Sequence, residues 1–146
     1  MKFVLETSQN ILIHGYEIGM ISITGINADH PELKSGVIDE WDADDHLGIF
    51  RKSVSINTSG QINKWEPQNS TEFSPEHFQN FCEKNPEIIL IGTGKKLTFP
   101  PQNCLSLLQQ NNIGYEVMDT AAACRTFNVL AAEGRNVILA IIMIEV

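Results

Sequence analysis

Apolar and polar positions along this chain follow three rhythms in succession. In the first quarter Ile11, Ile13, Ile18, Met20, Ile21 and Ile23 are set between Gly15, Gly19 and Gly25, a strand-like spacing broken by turn formers that predicts short strands joined by tight turns. The run Phe50 to Ile56, the turn Thr58-Ser59-Gly60 and the run Gln61 to Trp65 predict a second hairpin. Ser74-Pro75-Glu76 then offers an N-cap, a proline at the first helical position and an acid in the first turn. Phe78, Phe81 and Cys82 come next at i, i+3 and i+4, so a helix is expected up to Lys84-Asn85-Pro86.

From Glu87 onward the pattern changes again. Ile88 to Ile91 and Val137 to Ile144 are continuously apolar, as strands of a sheet covered on both faces must be. Between them Cys104, Leu105 and Leu108 mark one helix face and Ala123, Phe127 and Leu130 another, with Gly114 and Gly134 as helix stops. The expected class is therefore α/β: three layers, a mixed central sheet with a C-terminal βαβαβ unit, and additional N-terminal antiparallel β structure. Residues 1–146 read as one domain, with a β-rich part at 1–25 and 49–66 and an α/β part at 74–146. Residues 26–48 carry Asp29, Glu32, Asp39, Glu40, Asp42, Asp44 and Asp45 against Lys34 alone and read as an acidic insertion or loop.

Composition narrows the function classes. A chain of 146 residues that is 42% hydrophobic can bury one core without covalent staples. Its 18 acidic and 10 basic residues, net charge −8, supply no footprint for nucleic-acid phosphates. Cys82, Cys104 and Cys124 are odd in number and widely spaced, unlike a disulfide framework or zinc ligands, so reduced thiols and a cytoplasmic location are expected. The opening Met1-Lys2-Phe3-Val4-Leu5-Glu6 meets a carboxylate before any signal core develops. The apolar tail 137–144 is eight residues long, where a membrane helix needs about twenty, so it reads as a buried strand and not as an integral membrane segment. At a sheet edge that strand would invite pairing into a homodimer.

Several strings resemble a known family. These are Ile88 to Gly94, Pro100-Pro101, Ile113-Gly114, and Tyr115-Glu116-Val117-Met118-Asp119-Thr120 through Cys124-Arg125-Thr126-Phe127-Asn128 to Gly134. They are similar to a family of domains of unknown function that includes the mitochondrial respiratory complex I assembly factor three, the adipogenesis-associated domain protein, and small bacterial and archaeal relatives. Arg51 to Ile56 with Gly60, Ile62 and Trp65 resembles its central hairpin, and residues 10–23 its opening strands. The acidic stretch 26–48 departs from the family pattern. The resemblance implies a three-layer fold and an accessory or assembly role through protein partners, without implying a reaction or a cofactor.

Candidate chemistry gathers at two strand ends. Gly92-Thr93-Gly94 comes after one apolar strand, and Asp119-Thr120 after the next, before Ala121-Ala122-Ala123-Cys124-Arg125, so both belong to the carboxyl-end crevice where α/β proteins place ligands. The glycines match neither a dinucleotide fingerprint nor a P-loop, because Leu97 stands where a third glycine belongs and Gly94 is followed by Lys95-Lys96-Leu97. They read as a strand-end turn or as a cradle for a small anion, with Lys95 and Lys96 at its mouth. Asp119 reads as a helix cap, a ligand contact, or both.

Thr120, Cys124 and Asn128 share a helix stripe at i, i+4 and i+8, with Arg125 beside it. Cys124 near a guanidinium and a helix start reads either as a nucleophile or as a small buried apolar group. Arg125 would pair with an anionic ligand or with Asp119 or Glu116. Asp42 to His46 lacks the glycine and distal glutamate of a calcium loop, so neither a metal nor a cofactor is expected. Two functions are open: a cytosolic accessory protein, or an enzyme or sensor that binds a small anion in a crevice formed by residues 92–94 and 119–128.

Overall fold

The computed structural model describes residues 11–145, and the expectations resting on Met1 to Glu6 lie outside them. The described residues build two sheets. The first contains β1 (Leu12–Glu17), β2 (Met20–Thr24), β3 (Glu40–Asp42) and β4 (Leu47–Phe50) in the order β1-β2-β4-β3, all antiparallel. The second contains β5 (Val54–Asn57), β6 (Ile62–Lys64), β7 (Ile88–Gly92), β8 (Gly114–Met118) and β9 (Val137–Ile141) in the order β6-β5-β9-β7-β8. Strand β7 runs parallel to β8 and β9, while β5 runs antiparallel to β9 and β6, so this sheet is mixed. Among the described residues four α-helices accompany them: α1 (Pro31–Lys34), α2 (Glu76–Lys84), α3 (Gln102–Gln110) and α4 (Thr120–Ala132).

The order β7, α3, β8, α4, β9 is the expected βαβαβ unit, and the antiparallel sheet precedes it as expected. Side-chain alternation explains why its strands are apolar throughout. Leu90 of β7 and Val137, Leu139 and Ile141 of β9 enter one core cluster, which also holds Ile13, Ile21, Ile23 and Phe50 of the first sheet and Ala123, Cys124 and Phe127 of α4. Ile89, Ile91, Ile138 and Ala140 point the other way, into a cluster with Phe78 and Phe81 of α2 and Cys104, Leu105 and Leu108 of α3. Both faces of the central sheet are thus covered, leaving no place for the polar alternation of a half-exposed strand.

Two readings are refined by the structure. Residues 26–48 are not a plain loop, because they contain α1, β3 and the start of β4. Glu40 is exposed and Asp42 half-buried on an edge strand, whereas Ile38 and Leu47 are buried. The charge run therefore guards an edge, a common defence against strand pairing. Strand β9 is not at a sheet edge either; it lies between β5 and β7. Its apolar sequence reflects burial, and the argument for pairing into a homodimer through it falls away.

The Ser74 hydroxyl caps no backbone N–H of α2 but contacts first-turn side chains, Glu76 Oε1 at 3.4 Å and His77 Nδ1 at 3.3 Å. His77 Nδ1 instead accepts from Ser74 N at 3.1 Å, the reciprocal half of a capping box with histidine in place of glutamate.

Candidate functional site

The ends of β7 and β8 lie side by side, with Gly92 paired to Met118, and the chain continues the ladder beyond them. Thr93 N donates to Met118 O at 2.8 Å, Thr120 N to Gly94 O at 2.9 Å, and Ile142 N to Gly92 O at 3.1 Å. Thr120 Oγ1 accepts from Gly94 N at 2.8 Å and donates to Ile142 O at 2.7 Å. This fully buried hydroxyl joins three segments, accepting one hydrogen bond and donating another.

Each glycine here has a physical reason. A Cβ on Gly92 would lie 2.5 Å from Ile141 Cγ2 and 3.1 Å from Thr120 Cα, so no side chain fits at this crossing. Gly94 has φ +90°, a region that glycine occupies without steric cost. Between them Thr93 Oγ1 donates to Lys96 O at 2.6 Å, with Met118 O at 3.1 Å sharing its proton, and accepts from Thr98 N at 3.0 Å. The loop from Lys95 to Thr98 is thereby held in one shape.

Residues 92–94 and 119–128 touch through these bonds instead of facing each other across open space. The cleft beside Gly94 has a volume of about 190 Å³ and is lined by Thr93, Gly94, Lys95, Lys96, Ile142 and Met143, with Asn69 and Glu145 also on its wall. No residue from 119 to 128 lines it. Asp119 Oδ1 accepts from Ala122 N at 2.8 Å, so its carboxylate caps α4.

The stripe of Thr120, Cys124 and Asn128 turns inward. Cys124 is 1% exposed, and burial pushes its thiol up to about 12, with the Arg125 charge opposing that rise. At neutral pH it is a thiol packed among apolar groups, the state of a structural cysteine. Asn128 exchanges two hydrogen bonds with the backbone of Ile13.

Arg125 alone of the α4 candidates is exposed. Its Nη1 donates to Tyr16 Oη at 2.6 Å, and Cζ lies 5.9 Å from the centre of the Tyr16 ring. Tyr16 thus takes the place expected for Asp119 or Glu116, because α4 packs along β1 and brings the phenol within reach. No sequence signal connects residues 109 positions apart. Leu97 and Phe99, 54% and 65% exposed, are not among the sequence candidates either, although two apolar residues between Lys96 and Pro100 are a signal that could have found them.

Comparison with known proteins agrees with the resemblance seen in the sequence. A family model described as "Protein of unknown function (DUF498/DUF598)" matches residues 13–142. A Francisella tularensis protein named "13 kDa major membrane protein" is 39% identical over 61 residues, covering 42% of this chain and 50% of that protein. The rat NADH dehydrogenase (ubiquinone) 1 alpha subcomplex assembly factor 3 is 35% identical over 74 residues, covering 49% of this chain and 40% of that protein. The chain therefore matches half or less of the length of these two relatives. A Bordetella pertussis structure described as an Mth938-like domain superposes with a TM-score of 0.69 at 21% identity, covering 95% of this chain and 89% of that one, which shows the fold. Among the described residues no helix is long and apolar enough to cross a membrane.

Proposed function

This chain belongs to the DUF498/DUF598 family of proteins of unknown function, and from that premise we propose that it works as an accessory or assembly-type protein by contacting other proteins. Its similarity to a protein named as an assembly factor supports this reading. The observation that carries it is the exposed side of α4 where the helix meets β1. Arg125 and Tyr16 hold each other there at 2.6 Å, so both side chains are ordered before a partner arrives. Ile18, just past β1, is 64% exposed, and Val129, one turn beyond Arg125, is 57% exposed.

Tyrosine and arginine are the residue types that most often dominate binding at interfaces. Ordering them in advance lowers the entropy cost of association. The test is affinity capture at native abundance followed by mass spectrometry, with wild type and Arg125→Glu compared. A reproducible partner, depleted roughly tenfold by the variant while circular dichroism and Tm stay unchanged, is expected. Undiminished recovery by the variant, or no reproducible partner, rules the reading out.

A second reading, a sensor or enzyme binding a small anion, is favoured by the cleft beside Gly94. Thr93, Gly94, Lys95 and Lys96 share its lining with Glu145, which sets two basic residues and one acid near a glycine turn. Inorganic phosphate should then raise Tm, since a ligand of the native state stabilises it. A flat response in wild type, or an equal rise in Lys95→Ala/Lys96→Ala, excludes this reading.

A further inference from the structure

The strongest concentration of unexplained surface lies between β7 and α3. Among the described residues four large apolar side chains are exposed, and two of them, Leu97 and Phe99, fall within three positions of each other. Immediately before them stand Lys95 and Lys96, both exposed. Neither lysine has a carboxylate within 4.0 Å among the described residues, in a chain whose net charge is −8. Exposed phenylalanine and leucine in a pliable segment would lose their surface cost by folding back. Here they cannot, because the Thr93 hydroxyl bonds to Lys96 O and Thr98 N fix the loop backbone, and Pro100-Pro101 stiffens the chain between Phe99 and α3.

We propose that the Lys95–Phe99 loop docks this protein on an anionic lipid surface, with Phe99 and Leu97 entering the headgroup boundary and Lys95 and Lys96 meeting lipid phosphates. The juxtaposition has the composition of a surface-seeking element: apolar side chains able to leave water, flanked by cations that an anionic bilayer attracts. A protein groove would accept the apolar pair, but the two exposed lysines next to it, without an ion-pair partner among the described residues, select a surface that is itself negative. The rest of the chain is acidic, so the attraction is local to the loop, and this predicts a weak, reversible and strongly salt-sensitive association. The inference rests on the anion-binding reading of Lys95 and Lys96 and names the anion as a headgroup phosphate presented at a membrane.

Co-sedimentation with large vesicles of phosphatidylcholine mixed with phosphatidylglycerol tests it, beside vesicles of phosphatidylcholine alone. Wild type should pellet with the mixed vesicles, release as salt is raised, and stay in solution with the neutral ones. Lys95→Glu/Lys96→Glu should weaken vesicle binding about thirtyfold or more, and Leu97→Ser/Phe99→Ser roughly tenfold. Both variants change exposed positions, and unchanged Tm and circular dichroism show that they fold. Failure of wild type to bind the mixed vesicles overturns the proposal, as does binding indifferent to either variant. If inorganic phosphate raises Tm while vesicles go unbound, the anion reading stands and the lipid proposal falls. If phosphate has no effect and vesicles are also unbound, both fall.

Discussion

Asn128 and Ile13 form a two-way hydrogen-bonded pair across 115 residues of sequence: Asn128 Nδ2 donates to Ile13 O and Ile13 N donates to Asn128 Oδ1, each at 2.8 Å. The carboxamide does for the outer edge of β1 what a neighbouring strand would do. It joins the first sheet to α4 and thereby to the central sheet. It also sits beside the register shift between Ile13 and Gly15, where the ladder to β2 is interrupted. Asn128→Ala should therefore lower stability by about 2 kcal/mol, since it strands two backbone groups in a partly buried position. Asn128→Asp should cost more, because it turns a donor toward Ile13 O into an acceptor. Urea unfolding of both variants checks this, and an alanine variant as stable as wild type would show that water replaces the carboxamide without loss.

Thr120 gives a sharper case, since its hydroxyl both accepts and donates with no exposure. Thr120→Val keeps the shape and removes both bonds, leaving Gly94 N without its acceptor. A loss of roughly 2 to 4 kcal/mol is expected. Thr120→Ser retains the hydroxyl and should recover most of that loss. Thermal unfolding of the two variants together distinguishes the hydrogen bonds from the methyl group.

Gly92→Ala introduces a Cβ 2.5 Å from Ile141 Cγ2, at a crossing where the backbone of Thr120 also closes in. The sheet or the start of α4 must move, and a destabilisation of about 1 to 3 kcal/mol is expected. Gly134→Ala meets no atom within 4 Å but has φ +74°, so its cost should be smaller and purely conformational. A Gly92 variant as stable as wild type in guanidinium would contradict the close packing described.

The buried thiol of Cys124 sets a pH dependence whose sign is fixed. Its folded pKa is raised from 9.0 to about 12, so the unfolded chain loses this proton at lower pH than the folded one does. Its contribution is fully present below pH 9 and is lost as pH climbs toward 12, at up to about 1.4 kcal/mol per pH unit. Other groups titrate in that range too, and the difference between wild type and Cys124→Ala isolates the thiol. The stability gap between the two proteins should narrow from pH 9 upward. Parallel curves would mean that the thiol is not desolvated as described. The native protein should also leave Cys124 unmodified by a thiol reagent at pH 8 under conditions that label the unfolded chain.

Much of the architecture is legible in the sequence because it depends on local periodicity. The continuous apolar runs Ile88 to Ile91 and Val137 to Ile144 mark strands covered on both faces, although the second strand ends at Ile141. Phe78, Phe81 and Cys82, and Cys104, Leu105 and Leu108, fall at helical spacing where α2 and α3 form. Asp119 is recognisable as a cap because capping is a contact over three residues. The acidic stretch is not recognisable as structure, because an edge strand as short as Glu40–Asp42 carries no longer period than a charged loop does.

The strand-end residues divide along the same line. That Gly92, Thr93 and Gly94 succeed one strand and Asp119 and Thr120 the next is a property of the sequence alone, and so is the helical spacing that sets Thr120, Cys124 and Asn128 on one stripe. Which way that stripe faces is decided only in three dimensions. The docking of α4 between β1 and the central sheet buries the stripe, engages Asn128 with Ile13 and leaves Arg125 to Tyr16 at the surface. Helical period fixes which residues share a face, but the choice between core and solvent for that face comes from partners far away in the chain, and no local pattern carries their position.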